Sequence, residues 1–410
     1  MIRSLAKAWW VFALVAGMAE AQIQHVVVII KENHSFDNYF GEFPGANGAT
    51  TGNSKTQKGM PLTPMSDAPV NCTHTWASAH RDIDGGKMDG FYDECGANAY
   101  VQAEPSLIPN YWAYAKTYGL ADNLFGQIAG PSFPSHMYVF SENSGNAVDI
   151  PNVSGVLGWG CDAAAQGAVV KSINPATGAV YYQAPCFTMT TMGDVIDAAG
   201  VTWRIYSPQP GHGGYVFNFG SYYNNLWSGS QRANDVSGKQ FCSDLTQGQL
   251  PQVSWITPPI GGSDHPPFSI TDGENWTVQQ VNCIMNSPYW SSTLILVVWD
   301  DWGGFYDHVA PSDAGFFGYG IRVPLLVISP YAKPGYIGHK LYSFDSINKE
   351  IETVFHVPCL LTDCSTSVND LSDMLTSTPS APALVLVPRP SVKRKGPLVL
   401  DGIVQKDDDD

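Results

Sequence analysis

Two runs of branched apolar residues constrain the fold of this chain more than any other feature. They are Val26-Val27-Val28-Ile29-Ile30 and Leu294-Ile295-Leu296-Val297-Val298. Continuous runs of this length are strands covered on both faces, as in a parallel sheet packed between helices. Each run stops at a pair of oxygen-bearing side chains: Glu32-Asn33 after the first, Asp300-Asp301 after the second. Trp302-Gly303-Gly304 then lets the backbone turn sharply. In open α/β sheets, ligands bind beyond the carboxyl ends of the strands. An acidic turn on its own is as readily a solvated turn, so these positions gain meaning only as a pair of pairs.

The rest of the pattern alternates. Strands are expected at 201–206, 252–256 and 322–329, and helices at 111–121, 190–199, 276–286 and 343–354. Gly130-Pro131-Ser132-Phe133-Pro134-Ser135-His136 reads as a punctuated turn, with a helix opening at Met137. This alternation defines an α/β class, a central mainly parallel sheet flanked by helices with loop-rich insertions. The expected division is a signal peptide at 1–21 and one folded domain at 22–375. Within that domain an insertion or cap spans about 145–250. Proline-rich residues 376–410, ending in Asp407-Asp408-Asp409-Asp410, are expected to form a flexible tail.

Arg3 and Lys7, an apolar run from Ala8 to Met18, and Ala19-Glu20-Ala21 have the layout of a secretory signal with cleavage before Gln22. The run is too short to span a bilayer. The mature chain is therefore expected to be secreted or periplasmic. The eight cysteines contain no CxxC pair, and in an exported chain an even number reads as disulfides. Pairing in sequence order would close four loops, although sequence does not fix the connectivity. Asn33, Asn71, Asn152 and Asn275 lie in N-x-S/T sequons. The formal net charge of −16 excludes unaided binding to a nucleic-acid backbone.

Several candidate groups carry chemistry. Glu32, Asn33, Asp300 and Asp301 converge if their strands are neighbours, and four oxygen ligands suit a hard divalent cation. The lack of His or Cys within either pair disfavours thiolate zinc without excluding zinc. Ser132, on a turn before a helix, is placed for nucleophilic attack if a base or cation activates it, though most such serines only cap helices. His74, His80, His265 and His308 are candidate phosphate or leaving-group contacts. No G-x-S-x-G elbow and no G-x-x-x-x-G-K-[ST] loop is present, which argues against a lipase-like triad and a nucleotide-driven machine.

Together, Glu32-Asn33-His34-Ser35-Phe36-Asp37, Asp84 to Phe91, Pro131-Ser132-Phe133-Pro134, Ser263-Asp264-His265-Pro266, Trp299 to Val309 and Gly320-Ile321-Arg322-Val323-Pro324 resemble a secreted phosphoesterase family. That family contains non-specific phospholipases C and acid phosphatases. The resemblance covers about residues 25–361. It implies an alkaline-phosphatase-like fold and one divalent cation (calcium, magnesium or zinc) held by Glu32, Asn33, Ser132, Asp300 and Asp301. It further implies Ser132 as nucleophile and His74 and His265 facing phosphate, with His136 and His308 assigned to substrate contact. The implied activity is hydrolysis of a phosphoric ester through a phosphoseryl enzyme, on a small phosphate ester or a phospholipid head group with transient contact at a lipid surface. The alternative is a binding protein that kept the fold without catalysis. Ser135 stands where many relatives carry asparagine, a departure that bears on substrate preference.

Overall fold

In the computed structural model of the chain, residues 22–153, 158–312, 315–391, 398–400 and 403–405 are described. The assigned signal peptide, most of the basic cluster near 389–395 and the terminal aspartates lie outside the described residues. A nine-stranded sheet organises the molecule. Its strands are β1 (His25–Lys31), β2 (Gly119–Phe125), β3 (Trp203–Ser207), β4 (Asp235–Ser237), β5 (Val253–Ile256), β6 (Thr293–Trp299), β7 (Arg322–Ile328), β8 (Tyr336–Gly338) and β9 (Tyr342–Ser343). They lie in the order β4-β3-β5-β1-β6-β7-β2-β8, with β9 also pairing β2. Only β7 runs against its neighbours, so the sheet is mainly parallel.

Both apolar runs form the centre. Residues 26–30 and 294–298 are fully buried. Each such side chain contributes about 1.5–3 kcal/mol of burial, offset by the entropy of ordering it. β1 and β6 are parallel and paired without a slip from His25 opposite Thr293 to Lys31 opposite Trp299. β5 flanks β1 on its other side, also parallel. Three adjacent strands therefore end on the same edge.

Four helices matter for the site: α1 (Pro109–Thr117), α2 (Ser132–Ser141), α3 (Ile270–Met285) and α4 (Phe344–Phe355). Three boundaries differ from the sequence expectation. The helix expected to reach 121 stops at Thr117, and Gly119–Phe125 is β2, inserted between β7 and β8. Asp122 disguised this strand, because its buried carboxylate is satisfied by the Asn47 N–H and by His339. The second difference is α2, which begins at Ser132 rather than Met137, with Pro131 as its N-cap. Pro134 is tolerated because first-turn residues have no intrahelical N–H bond to lose. Finally, α3 begins at Ile270, where the Ser269 hydroxyl accepts from the Asp272 N–H.

The segment 145–250 is not uniformly a cap, since β3 and β4 belong to the central sheet. Its first part lies outside that sheet and carries a hairpin, Val170–Ile173 with Val180–Gln183. In place of a free tail, residues 376–391 lie along the body. Tyr118 donates to the Pro382 carbonyl, Asn282 bonds both backbone groups of Leu386, and Arg389 pairs with Glu274. Four disulfides follow sequence order: Cys72–Cys95, Cys161–Cys186, Cys242–Cys283 and Cys359–Cys364. No helix among the described residues is long and apolar enough to cross a membrane.

Beside the strand ends, the fully buried Arg322 bonds Asp307 at 3.1 Å and Asp37 at 3.0 Å, and stacks over Phe36 at 4.4 Å. Removing this cation would strand two buried carboxylates. Arg322→Met is expected to lose about 3–5 kcal/mol of stability. A denaturant midpoint implying a loss below about 1 kcal/mol would show that the pair is not a fixed anchor.

Candidate active site

The level ends of β1 and β6 put their acid pairs side by side. The Asp300 N–H donates to the Lys31 carbonyl at 2.9 Å, continuing the ladder one residue. Asn33 then adopts a left-handed conformation (φ 63°), which asparagine tolerates, and its N–H donates to Asp300 Oδ1 at 2.9 Å. The same Asp300 oxygen accepts from the Asp301 N–H at 2.7 Å. The two glycines that follow are required by close approach. A Cβ on Gly303 would stand 2.3 Å from the Asn33 carbonyl, and one on Gly304 would stand 2.5 Å from Cys72 Cβ. The second contact brings in the segment carrying His74.

Ser132 enters from α2. Its hydroxyl donates to Asp301 Oδ2 at 3.2 Å, and the residue is only 2% exposed. As the first helical residue it stands at the positive end of the helix dipole, where backbone N–H groups favour an anion. His265 arrives on the loop after β5. That loop is fixed from beneath: buried Lys31 pairs with Asp264 Oδ1 at 3.2 Å and also donates to the carbonyls of Gly262 and Gly273. Asp264 Oδ2 accepts from Tyr111 at 3.0 Å and Trp299 at 3.2 Å.

His74 and His265 face one another, with ring centroids 6.1 Å apart. Each spends Nδ1–H on a backbone carbonyl, of Cys72 and Pro266 respectively, an assignment made from the partners. His74 Nε2 accepts from the Asn33 amide at 2.9 Å. Burial, then the neighbouring His74, lowers His265 to about 3, so its ring is neutral near pH 7. Phe217, from the 145–250 segment, stacks on His265 at 6.2 Å. Sequence reasoning missed this aromatic wall, and no local signal around Phe217 marks it. His80 is exposed on the helix Trp76–Ile83 and bonds the Trp76 carbonyl.

Two residues assigned to substrate contact are placed otherwise. His136 is fully buried, with Nε2 3.0 Å from Glu32 Oε1 and 3.4 Å from Asp300 Oδ2. Because α2 starts at Ser132, His136 lies one turn further on and on the same face, against the acids. Burial would lower its pKa, but Glu32 and Asp300 outweigh this and raise it to about 10. His308 belongs to the Arg322 group, with Nδ1 2.6 Å from Asp37 Oδ2.

The acid pocket fits a cation. Glu32 Oε2 and Asn33 Oδ1 are buried and lack any hydrogen-bond partner, and Asp300 Oδ2 is met by His136 Nε2 at 3.4 Å. Burial and then Asp300 raise Glu32 to about 8, and burial and then Asp300 hold Asp301 well above the carboxylate range. The bond to His136 and its charge outweigh burial and keep Asp300 below that range. His136 faces two of the carboxyl groups, Glu32 and Asp300, and oxygen donors gathered in this way suit a hard divalent ion. A cavity of about 1200 Å³ lies elsewhere, lined by Gln24, His25, Cys242 and Cys283.

The phosphoesterase family model matches residues 23–358, and the chain belongs to that family. It is 25% identical to the non-hemolytic phospholipase C of Burkholderia pseudomallei, over 82% of this chain and 55% of that protein. It thus spans about half the length of that relative. Phospholipase C A of Mycobacterium tuberculosis is also 25% identical, over 82% of this chain and 73% of its own. Among solved structures, the PsFucS1 sulfatase of Pseudoalteromonas sp. overlays with a TM-score of 0.43 at 10% identity, covering 90% of this chain and 76% of that one.

Asp82 backs this site by accepting from the Trp302 indole at 3.0 Å, and Trp302 packs edge-on to His74. Burial raises Asp82 to about 8. Between an unfolded value of about 4 and that folded value, only the unfolded chain gives up the proton, so stability falls as pH rises. Thermal unfolding from pH 5 to 8 is expected to decline less steeply in Asp82→Asn than in the parent. Parallel declines would show that Asp82 is ionised in the fold.

Proposed function

We propose that this chain is a metal-dependent phosphoric ester hydrolase that attacks phosphorus with Ser132. The observation that carries this reading is the Ser132 hydroxyl donating to Asp301 Oδ2 at 3.2 Å, beside an acid pocket in which Glu32 Oε2 and Asn33 Oδ1 are buried without a partner. Glu32, Asn33, Asp300 and Asp301 would hold a divalent cation, which would supply Lewis acidity at the reacting centre.

The residues of the chain account for the rest. Ser132 passes its proton toward Asp301 Oδ2 as Oγ bonds phosphorus and the alcohol of the ester leaves. The N-terminal N–H groups of α2 face the transferring phosphoryl group, where preorganised dipoles lower the barrier. An anionic phosphate next to His265 Nε2 offsets the burial that keeps this ring neutral, and favours a donor there for the leaving oxygen. Water then opens the phosphoseryl enzyme by the reverse geometry. His136 orients and partly neutralises Glu32 and Asp300, and Phe217 restricts water on the His265 side.

Phospholipase C relatives support a phosphodiester of a lipid head group as substrate, cleaved on the diacylglycerol side. The apparent signal sequence supports action outside the cytoplasm. The intact set of acids, serine and histidines disfavours a binding protein without catalysis.

Hydrolysis of p-nitrophenylphosphorylcholine and p-nitrophenyl phosphate, with diacylglycerol release followed in parallel, tests the reading. Activity is expected to be lost with chelator and to fall at least about a thousandfold in Ser132→Ala. Unchanged turnover in Ser132→Ala would remove the serine from its role. Two in-line displacements predict net retention at a chiral phosphorus, and inversion would refute the phosphoseryl step.

A further inference from the structure

A second acidic centre lies at the other end of α2. Glu142 ends that helix in a left-handed conformation (φ 51°) and is 3% exposed. Asp345 and Glu352 project from α4, and Asp363 comes from the short turn Thr362–Cys364. One ligand oxygen each from Glu142, Glu352 and Asp363 lies within 4.8 Å of the others. Asp345 joins them through Thr362, whose hydroxyl donates to Asp345 Oδ2 at 2.6 Å and sits 3.1 Å from Glu142 Oε2.

No Lys, Arg or His ion pair to these four carboxyl groups occurs among the described residues. Their donors are neutral. Glu142 Oε2 accepts from the N–H groups of Thr362 and Asp363, Glu352 Oε1 from that of Leu360, and Asp345 Oδ2 from Gln127. These bonds leave Glu142 Oε1, Asp345 Oδ1 and Asp363 Oδ2 buried without a partner.

A neutral side chain supplies independent support. Asn348 is fully buried on α4, between Asp345 and Glu352 at helical spacing, so all three share one face. Its amide N–H reaches the Tyr138 carbonyl of α2, while its Oδ1 is buried without a donor. An amide oxygen cannot be relieved by taking up a proton, as a carboxylate can. On the face of α4 that carries Asp345 and Glu352, such an oxygen is relieved only by a donor or a cation.

We propose that Glu142, Asp345, Glu352 and Asp363, with the Asn348 amide oxygen, form a buried calcium site separate from the catalytic pocket. All the donors are oxygens, and Cys359 and Cys364 are tied in a disulfide, so no thiolate is offered. Several carboxylates in an all-protein cage suit Ca²⁺, which takes six to eight oxygens, better than Mg²⁺, which keeps its water. The site joins the C-terminal end of α2 to α4 and to the Cys359–Cys364 loop. Its role is structural: it fixes the helix whose first residue is Ser132. Without a cation the cluster holds protons instead, with burial first and then acid neighbours raising Glu142 to about 8 and Glu352 to about 10.

The test uses the whole mature chain, stripped with EGTA and re-equilibrated with calcium alone. Bound calcium is counted by equilibrium dialysis, and Tm is measured with calcium and with EGTA. The parent is expected to bind one calcium more than Glu142→Gln/Glu352→Gln and to gain several degrees in Tm with calcium. The double variant is expected to show no gain at this site and to match or exceed the parent in EGTA, because like-charge repulsion is relieved. Asp300→Asn/Asp301→Asn, which removes the catalytic pocket's acids, is expected to keep the structural calcium and its Tm gain. Should the double variant fail to fold, Asp345→Asn replaces it in the same two measurements. Equal calcium content and equal calcium-dependent Tm shifts in parent and variant would overturn the proposal and leave a proton-sharing cluster.

Discussion

The level, parallel pairing of β1 with β6 is the constraint from which the site follows. Lys31 lies opposite Trp299, so the next two residues of each strand leave the sheet together. A shift of one residue would exchange the faces of every side chain and separate the acids. That register is held by continuous burial on both faces, and by Lys31 itself. Its ammonium reaches across to Asp264 and ties a third strand end to the other two. A buried charge pair is costly unless it is well bonded, and here Tyr111, Trp299 and two backbone carbonyls complete it. Packing and site geometry are thus one arrangement.

Charge explains the remainder. Glu32 and Asp300 are buried within a few ångströms of one imidazole, with buried Asp301 next in sequence, on a chain that is acidic overall. Such a pocket either takes up protons or takes up a cation, and its unpartnered Glu32 and Asn33 oxygens favour the second. The helix that brings Ser132 to the pocket also brings His136, one turn on, as partial counter-charge. The other end of that helix meets the second acid cluster. Ser132 is therefore held between two centres with the same electrostatic need.

The core strands and the two acid pairs were legible in the sequence because continuous branched apolar runs have few other solutions. The resemblance placed Ser132, His74 and His265, and the geometry brings these three together with the acids. What could not be read came from tertiary satisfaction of local irregularities. Gly119 to Phe125 looked unlike a strand because of Asp122, whose partners come from distant loops. The prolines around Ser132 hid a helix start and with it the spacing that buries His136. His308 looked like a site residue because it follows Asp307, yet Arg322 draws that whole turn into a separate ion cluster. Phe217 carries no local signal, since its position depends on how a long excursion folds back.

The central claim is that the two strand ends hold one cation in front of Ser132. Anomalous diffraction from crystals of the mature protein equilibrated with manganese tests it most directly. The account predicts a peak bounded by Glu32, Asn33, Asp300 and Asp301 and facing Ser132 Oγ. An active, manganese-loaded enzyme with no peak there, or with its peak only at another cluster, would contradict it.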